Sequence, residues 1–272
     1  MLVGRTFFVV VLLGLAASSA RANDSSVELG AGGIVFTKST DVSMDSEDLW
    51  ISKTRVRVSY VFTNSGPDDV KIEVAFPLPA IPICDDDNAD ECQSDNLRIG
   101  SGENAVQFKL TVDGKPKAFK TTKQREMKAG RGTLSITHHW EQVFPKGSSV
   151  RIAHEYVPIA GGTFTDTDGT TKGKFQHEMS TTYCVGPKLM HVLTSQEVSY
   201  WTVHYILTTG ANWKGPIKNF KLTIAKHAPA DKVSVCIPDT RKVTPLTFEV
   251  VRHDFVPTED LKILFIPATN DE

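Results

Sequence analysis

The stretch TRVRVSYVFTNSGPDDVKIEVAFPLP, residues 54–79, decides the fold class of this chain. Apolar residues alternate with polar ones over residues 56–62, and the same period of two returns over residues 70–76. This alternation is typical of half-buried β-strands. Residues 64–69 favour turn geometry, and Pro77 ends the second strand because proline cannot donate to a sheet ladder. The stretch therefore predicts two strands joined as a hairpin.

Strands of the same kind recur along the rest of the chain. They are predicted at residues 106–112, 134–140, 150–156, 198–209, 217–225, 233–237, 246–252 and 261–266. Asp113-Gly114 predicts a hairpin turn, residues 120–131 predict an exposed polar excursion, and Pro187 predicts the first turn of a short helix over residues 186–193. We expect an all-β fold of two antiparallel β-sandwich domains in series, with little helix.

The composition divides the chain into three parts. Residues 1–22 predict a signal peptide, because Arg5 precedes a short apolar run and Ala20-Arg21-Ala22 forms a cleavage site after Ala22. The apolar run is shorter than the about 20 residues that a membrane helix needs. A shift to glycine, threonine and aspartate near residue 161 predicts an N-terminal domain at residues 23–160 and a C-terminal domain at residues 161–272. We expect a periplasmic or secreted protein with no transmembrane span in the mature chain.

Charge and cysteine content narrow the class of protein further. The 272 residues include 30 basic and 32 acidic ones without a basic stripe, so no nucleic-acid partner is expected. The four cysteines are an even number, which in an exported chain predicts two disulfides. Of the three possible pairings we favour Cys84 with Cys92 and Cys184 with Cys236, since each pair then lies within one predicted domain.

The sequence contains residues suited to two kinds of metal site, and neither site is favoured. Residues 84–92 hold five carboxylates that could bind calcium, and residues 166–169 match part of a calcium loop, but neither has the spacing of a known calcium loop. His138 and His154 fall on the apolar side of two predicted strands, yet zinc needs three or four protein ligands and no third stands out. We expect structural histidines, a solvated acidic loop and no cofactor; a calcium-stabilised structural protein is an alternative.

Candidate catalytic groups occur only as scattered residues. Ser180, Ser195 and Ser199 lack the G-x-S-x-G pattern of a nucleophile elbow. The carboxylate pairs Glu47/Asp48 and Glu259/Asp260 adjoin predicted strands, and a glycosidase would need two carboxyl groups facing one cleft. No catalytic residue is predicted, and a periplasmic hydrolase acting on envelope glycans or peptides is a second alternative.

Two resemblances add to these patterns. The run NDSSVELGAGGIVFTKSTDVSMDSEDLWIS from Asn23, with VRVSYVFTNSG, VAFPLP, ANWKGPIKNFKLTI and HDFVPTEDLKILF, resembles the bacterial exported family called domain of unknown function 4424. More distantly, residues 56–79 with WEQVFPKG (140–147) and HEY (154–156) are similar to the vault and inter-alpha-trypsin inhibitor heavy-chain (VIT) domain, a β-sandwich with extracellular or assembly roles. The first resemblance implies export and no assigned activity, and neither supplies catalytic residues.

Together these features predict a disulfide-bonded bacterial protein that binds another envelope macromolecule and catalyses no reaction. Trp201, Tyr205 and Trp213 are candidate contact residues, since aromatic side chains carry much of the binding energy of interfaces. Such residues more often pack in the protein core. The sequence leaves the partner and the oligomeric state open.

Overall fold

The computed structural model describes residues 40–77, 81–84, 104–128, 131–164, 172–208 and 213–268. These residues form sixteen β-strands in three sheets and two α-helices. The predicted all-β fold is confirmed. In the described part of the chain, neither helix is long and apolar enough to cross a membrane.

The largest sheet has eight strands. In spatial order they are β14 (Arg241–Lys242), β15 (Thr247–Phe255), β12 (Ile217–Ala225), β1 (Val42–Ser52), β2 (Val56–Asn64), β9 (Ser149–Tyr156), β5 (Lys109–Val112) and β6 (Lys115–Pro116). All neighbours are antiparallel except β1 and β12, which run parallel and bring Leu49 opposite Leu222. The two halves of the chain therefore contribute to one sheet.

Two smaller sheets complete the fold. In one, β3 (Val70–Pro77), β4 (Ile81–Cys84) and β7 (Lys120–Lys128) all pair with β8 (Arg131–Phe144). The other has the order β10 (Gly161–Phe164), β11 (Ser199–Tyr205), β16 (Leu261–Ile266) and β13 (Lys232–Val235). The helices are α1 (Lys172–Thr182) and α2 (Pro187–Ser195).

One hydrophobic core joins the large sheet to both smaller ones. It includes Phe62 of β2, Trp140 of β8, Leu222 of β12 and Ile263 of β16, so both halves of the chain contribute to it. The predicted boundary between residues 160 and 161 stays a prediction. A second cluster, which includes Leu193 and Leu264, packs the helices against the other face of the sheet that contains β11. That sheet is thus covered on both faces.

The predicted hairpin at residues 54–79 is wrong, although both of its strands are present. β2 pairs with β1 and β9, whereas β3 pairs with β8 in the smaller sheet. The chain between them crosses from one layer to the facing layer. Asn64 is fully buried at this crossing, and its side-chain amide donates to the carbonyl oxygens of Asp68 and Phe144, both at 2.8 Å. Alternation determines which side chains are buried but not which strands pair.

Other local expectations have mixed outcomes. The hairpin at Asp113-Gly114 is confirmed between β5 and β6, and the short helix α2 begins at Pro187 as predicted. The predicted exposure of residues 120–128 is confirmed, but they form a regular strand and not an excursion, because β7 pairs along most of β8. β7 has no apolar face, so the period of two gave no signal there. Helix α1 was not predicted, since Met179 is its one buried residue.

A disulfide joins Cys184, just after α1, to Cys236, just after β13. This predicted pairing is confirmed. The side chains of Cys84 and Cys92 lie outside the described residues, so their pairing stays a prediction. The signal peptide, the acidic loop at residues 85–92 and the possible calcium loop at residues 166–169 also lie outside the described residues.

Candidate functional site

The outer face of the eight-stranded sheet, which points away from the core, carries a depression of about 610 Å³. Its lining comes from the adjacent strands β12, β1, β2, β9 and β5. Successive side chains of a strand point to opposite faces, so these polar residues alternate with core residues such as Leu49. We call it the outer-face depression, and the side chains that line this face are Asp48, Trp50, Arg57, Ser59, Lys109, Thr111, Ala153, Glu155, Lys221 and Thr223.

The sheet register arranges these side chains in two rows across the strands. The first row is Thr223, Trp50, Arg57, Glu155 and Lys109. The second row is Lys221, Asp48, Ser59, Ala153 and Thr111. The second row has three small side chains on neighbouring strands, whereas the first has four large ones, Trp50, Arg57, Glu155 and Lys109. The small residues therefore form a floor and the first row forms a wall.

The wall contains a stacked pair. The guanidinium carbon of Arg57 lies 4.4 Å from the ring centroid of Trp50, which is within the range of a cation–π contact. The Arg57 side chain is still 58% exposed, so its donors reach solvent. The pair thus combines an aromatic ring with an accessible cation.

The wall also carries more positive than negative charge. Glu155 accepts from Arg55 Nη1 at 2.8 Å and Lys109 Nζ at 3.1 Å, and Arg57 Nε lies 3.7 Å from its second oxygen. The hydrogen bond from Lys109 lowers the pKa of Glu155, and the charges of all three cations lower it further. One carboxylate faces three cations, which leaves a local excess of positive charge.

The opposite end of the depression has a different charge pattern. Lys221 forms an ion pair with Glu249 at 3.0 Å. Asp48 is exposed and forms no ion pair with any residue that the structure describes. Asp48 is therefore an acceptor open to the depression, beside the hydroxyl group of Ser59.

A smaller depression of about 280 Å³ lies on the other side of Trp50. We call it the second depression, and its lining is Trp50, Ser52, Lys53, Thr54, Ala225, Lys226 and His227. Ser52 and Ala225 pair across β1 and β12, two positions beyond Trp50 and Thr223. Both depressions therefore lie on the same face of the same strand pair, with Trp50 between them.

A third depression, of about 590 Å³, lies beside the disulfide and includes the predicted carboxylate pair Glu259/Asp260. Asp260 already accepts from the backbone amides of Leu207 and Thr208, both at 3.0 Å, and from the Thr208 hydroxyl at 2.8 Å. These bonds hold the end of β11 in place, which gives Asp260 a structural task.

The core itself contains a polar network. Tyr205 donates to Glu47 Oε1 at 3.1 Å, and the hydroxyl groups of Tyr205 and Tyr60 are 2.6 Å apart. Burial raises the pKa of Glu47 to about 8, against the hydrogen bond from Tyr205, which lowers it. Glu47 is therefore protonated at neutral pH. Asp48 points to the outer face, so the predicted pair Glu47/Asp48 does not converge.

The two predicted core histidines lie in facing sheets and approach the same ring. His138 and His154 lie 4.9 Å and 5.1 Å from Phe108 between ring centroids. Burial lowers the pKa of His138 to about 4 and that of His154 to about 3. Neither nitrogen of His154 has a hydrogen-bond partner among the described residues. No group of three His, Cys, Asp or Glu side chains placed to hold a metal ion occurs within the described ranges.

Comparison with known proteins places the chain in a family. The family model described as "Domain of unknown function (DUF4424)" matches residues 22–132 and 120–264. The chain belongs to this family. The expected membership is confirmed, and the search of curated proteins found no match.

One solved structure has a similar fold. A candidate nutrient binding protein from Legionella pneumophila shares 18% identity over 89% of this DUF4424 chain and 72% of its own chain, with a TM-score of 0.54. An M1 zinc metallopeptidase from Deinococcus radiodurans shares 6% identity over 84% of this chain and 43% of its own, with a TM-score of 0.30. The first likeness shows the fold, whereas a TM-score of 0.30 is too low to indicate a shared fold.

Two of the three predicted contact residues of this DUF4424 chain are not available for contact. Tyr205 and Trp213 are 1% and 3% exposed and pack in the core. Trp201 is half-buried against the core, with the ammonium group of Lys53 4.3 Å from its ring centroid. The exposed-surface interpretation is therefore wrong for Tyr205 and Trp213, because both lie on core-facing positions.

The residues of the outer-face depression were missed in the sequence. Alternation over residues 56–62 places Arg57 on the polar face of its strand but gives no sign of a ligand site. A signal existed in the first half, where Arg55 and Arg57 alternate with core residues. The contribution of Lys221 could not be found, since it depends on the parallel pairing of β1 with a strand far along the chain.

Proposed function

We propose that this protein is an exported, non-catalytic binding protein of the bacterial cell envelope, and that the outer-face depression holds its ligand. The observation that carries the proposal is the depression of about 610 Å³, in which side chains from five adjacent strands converge. Its volume falls within the range of about 300–1,000 Å³ that is usual for small-molecule sites. Side chains on paired strands are also held more rigidly than side chains on loops.

Five further features support export and binding. The pattern of residues 1–22 is that of a cleaved signal peptide, and the family resemblance implies an exported bacterial protein. The Cys184–Cys236 disulfide suits an oxidising compartment such as the periplasm. The resemblance of the first half to the VIT domain suggests an extracellular or assembly role. The protein of similar fold from Legionella pneumophila is itself described as a candidate nutrient binding protein.

The experiment uses one variant that fills the depression and one that does not. Ala153→Trp places an indole on the floor, and because Ala153 is on the solvent side of β9 the core is left unchanged. Val251→Trp adds the same indole to the outer face of β15 at a position that is 53% exposed and outside the depression. Equal unfolding midpoints of the three proteins establish that all are folded.

Each immobilised protein is then exposed to a fractionated bacterial envelope extract, and retained components are measured by mass spectrometry. We expect at least one component that the wild-type protein and Val251→Trp retain and Ala153→Trp does not. Equal retention by Ala153→Trp, or no component retained by the wild-type protein, would contradict the proposed function.

A further inference from the structure

The two depressions beside Trp50 are placed to act as one groove. Trp50 and Ser52 project from the same face of β1, and their partners Thr223 and Ala225 project from β12. Two residues along a strand span about 7 Å. A single extended chain can therefore pass over Trp50 from the outer-face depression into the second depression.

The charges along this groove favour an anionic ligand. The lining of the outer-face depression holds three cations, Arg57, Lys109 and Lys221, against two carboxylates, Asp48 and Glu155. In the second depression, the titratable lining side chains are Lys53, Lys226 and His227. The Lys226 ammonium is buried, donates to the carbonyl oxygens of Pro229 and Asp231 at 2.6 Å and 2.9 Å, and is partly offset by the Asp231 carboxylate, so Lys53 supplies most of the positive charge here. Positive charge thus lies on both sides of Trp50.

The uncharged groups of the groove match a sugar. Ser59, Thr111 and Thr223 place hydroxyl groups along the outer-face depression, and Asp48 adds an acceptor. Trp50 supplies a half-buried aromatic ring at the midpoint. The C–H face of a sugar ring packs on such a ring while its hydroxyl groups bond to polar side chains, which is the usual mixture of apolar and polar contacts in a small-molecule site.

We propose that the ligand is a linear acidic oligosaccharide whose carboxylates pair with the cations on both sides of Trp50. This inference rests on the proposed function and adds the ligand class and the second depression. Arg57 and Lys109 bind one carboxylate of the ligand, and His227 and Lys53 lie along the path of the next sugar units.

The probes are a dimer and a hexamer of galacturonic acid, a neutral hexamer of glucose, and linear polyphosphate, each titrated calorimetrically. We expect the affinity for the acidic hexamer to be at least about tenfold higher than the affinity for the dimer. The hexamer is long enough to make added contacts in the second depression. Neutral sugar should bind far more weakly, and acidic binding should weaken as salt is added. Ala153→Trp should abolish binding of both acidic probes.

A matched pair of charge variants tests the second depression. His227→Glu should lower the affinity for the hexamer about tenfold, through like-charge repulsion, and change the affinity for the dimer much less. His191→Glu makes the same change of charge at an exposed position on α2 and should change neither. Equal effects of the two variants on hexamer affinity would show that the second depression does not contact the ligand.

The remaining outcomes separate the ligand class from the proposed function. Equal binding of the neutral hexamer or of polyphosphate would overturn the acidic oligosaccharide. If no galacturonate binds while an envelope component still depends on Ala153, the ligand class is wrong and the proposed function stands. If neither galacturonate nor any envelope component binds, both the ligand class and the proposed function are wrong.

Discussion

Glu47 is enclosed by the core, and its proton links the stability of the fold to pH. Its pKa is raised from 4.5 to about 8 by burial. Between these pH values the unfolded chain releases the proton and the folded chain keeps it. The free energy of unfolding therefore falls as pH rises through this window, by about 1.4 kcal/mol per pH unit from this group.

Glu47→Gln should remove that fall, because glutamine stays neutral and still accepts from Tyr205. Urea unfolding at pH 6.5 and pH 8 measures it: the wild-type protein should lose about 2 kcal/mol from this group, and the variant almost none. Glu197→Gln changes an exposed carboxyl group and serves as the control. A variant with the same loss as the wild-type protein would show that Glu47 is already ionised in the folded state.

His154 links stability to pH in the opposite direction. Burial lowers its pKa to about 3, so the unfolded chain binds a proton below pH 6.5 that the folded chain does not. Stability from this group is present above pH 6.5 and is lost as pH falls toward 3. His138 behaves in the same way. The two histidines outweigh Glu47 below pH 6.5, which places maximum stability near that pH.

His154→Phe should therefore stabilise the protein. It should also reduce the loss of unfolding free energy as pH falls below 6.5. The ring lies among Tyr60, Phe76, Phe108 and Trp140, at centroid distances from 5.1 to 5.7 Å, and phenylalanine fits that aromatic cage. Removing two unpaired buried nitrogens should add about 1–3 kcal/mol at neutral pH. Urea unfolding at pH 4.5 and 6.5 provides the measurement. A clear loss of stability would mean that the imidazole has a hydrogen-bond partner, such as a buried water.

At the scale of elements, Asn64 holds the crossing between β2 and β3. Its amide donates to Asp68 and Phe144, and its carbonyl oxygen accepts from the Gly66 amide at 2.8 Å. Asn64→Ala leaves these groups unpaired and should cost about 3 kcal/mol. Asn219→Ala removes an exposed amide that bonds to the Asp45 carbonyl, and should cost about 0.5 kcal/mol or less. Chemical denaturation measures the loss of unfolding free energy in each variant. Equal losses would show that Asn64 does not stabilise the crossing.

The same crossing shows how far the sequence determines the elements. Val56 to Phe62 and Val70 to Phe76 alternate clearly enough to predict both strands and their buried faces. The partner of each strand depends on packing between layers, which no local pattern contains, so the hairpin was wrong. The hairpin prediction at Asp113-Gly114 was correct because the turn requires left-handed φ values, here 49° and 75°, which these residue types adopt.

The candidate site follows the same rule. Arg57 could be assigned to a face of its strand from alternation alone, whereas Trp50 lies in the continuous apolar run Leu49-Trp50-Ile51, which gives no face. Their stacking, and the meeting of Lys109 with Glu155, need the register of β1, β2, β9 and β5. β7 was missed for a related reason: its residues are exposed on both faces, and pairing with β8 alone makes it a strand.

At the scale of the whole molecule, the pairing of β1 with β12 should make the halves unfold together. Leu222 is fully buried in the shared sheet, and Leu222→Ala should cost about 3 kcal/mol. Amide hydrogen exchange should then accelerate equally in β9 and in β16, which lie in different halves of the chain. Val251→Ala, on the exposed face of β15, should change neither. Acceleration in β16 alone would show two independently stable units.

The parallel pairing of β1 and β12 also constrains how the molecule is made. Residues 42–52 are synthesised well before their partner at residues 217–225. Until then β1 has one open edge, and such edges invite intermolecular association. Closing the sheet requires a contact across most of the chain, which slows folding. The nascent protein therefore carries an exposed strand edge, and with it a risk of aggregation, until β12 has been synthesised.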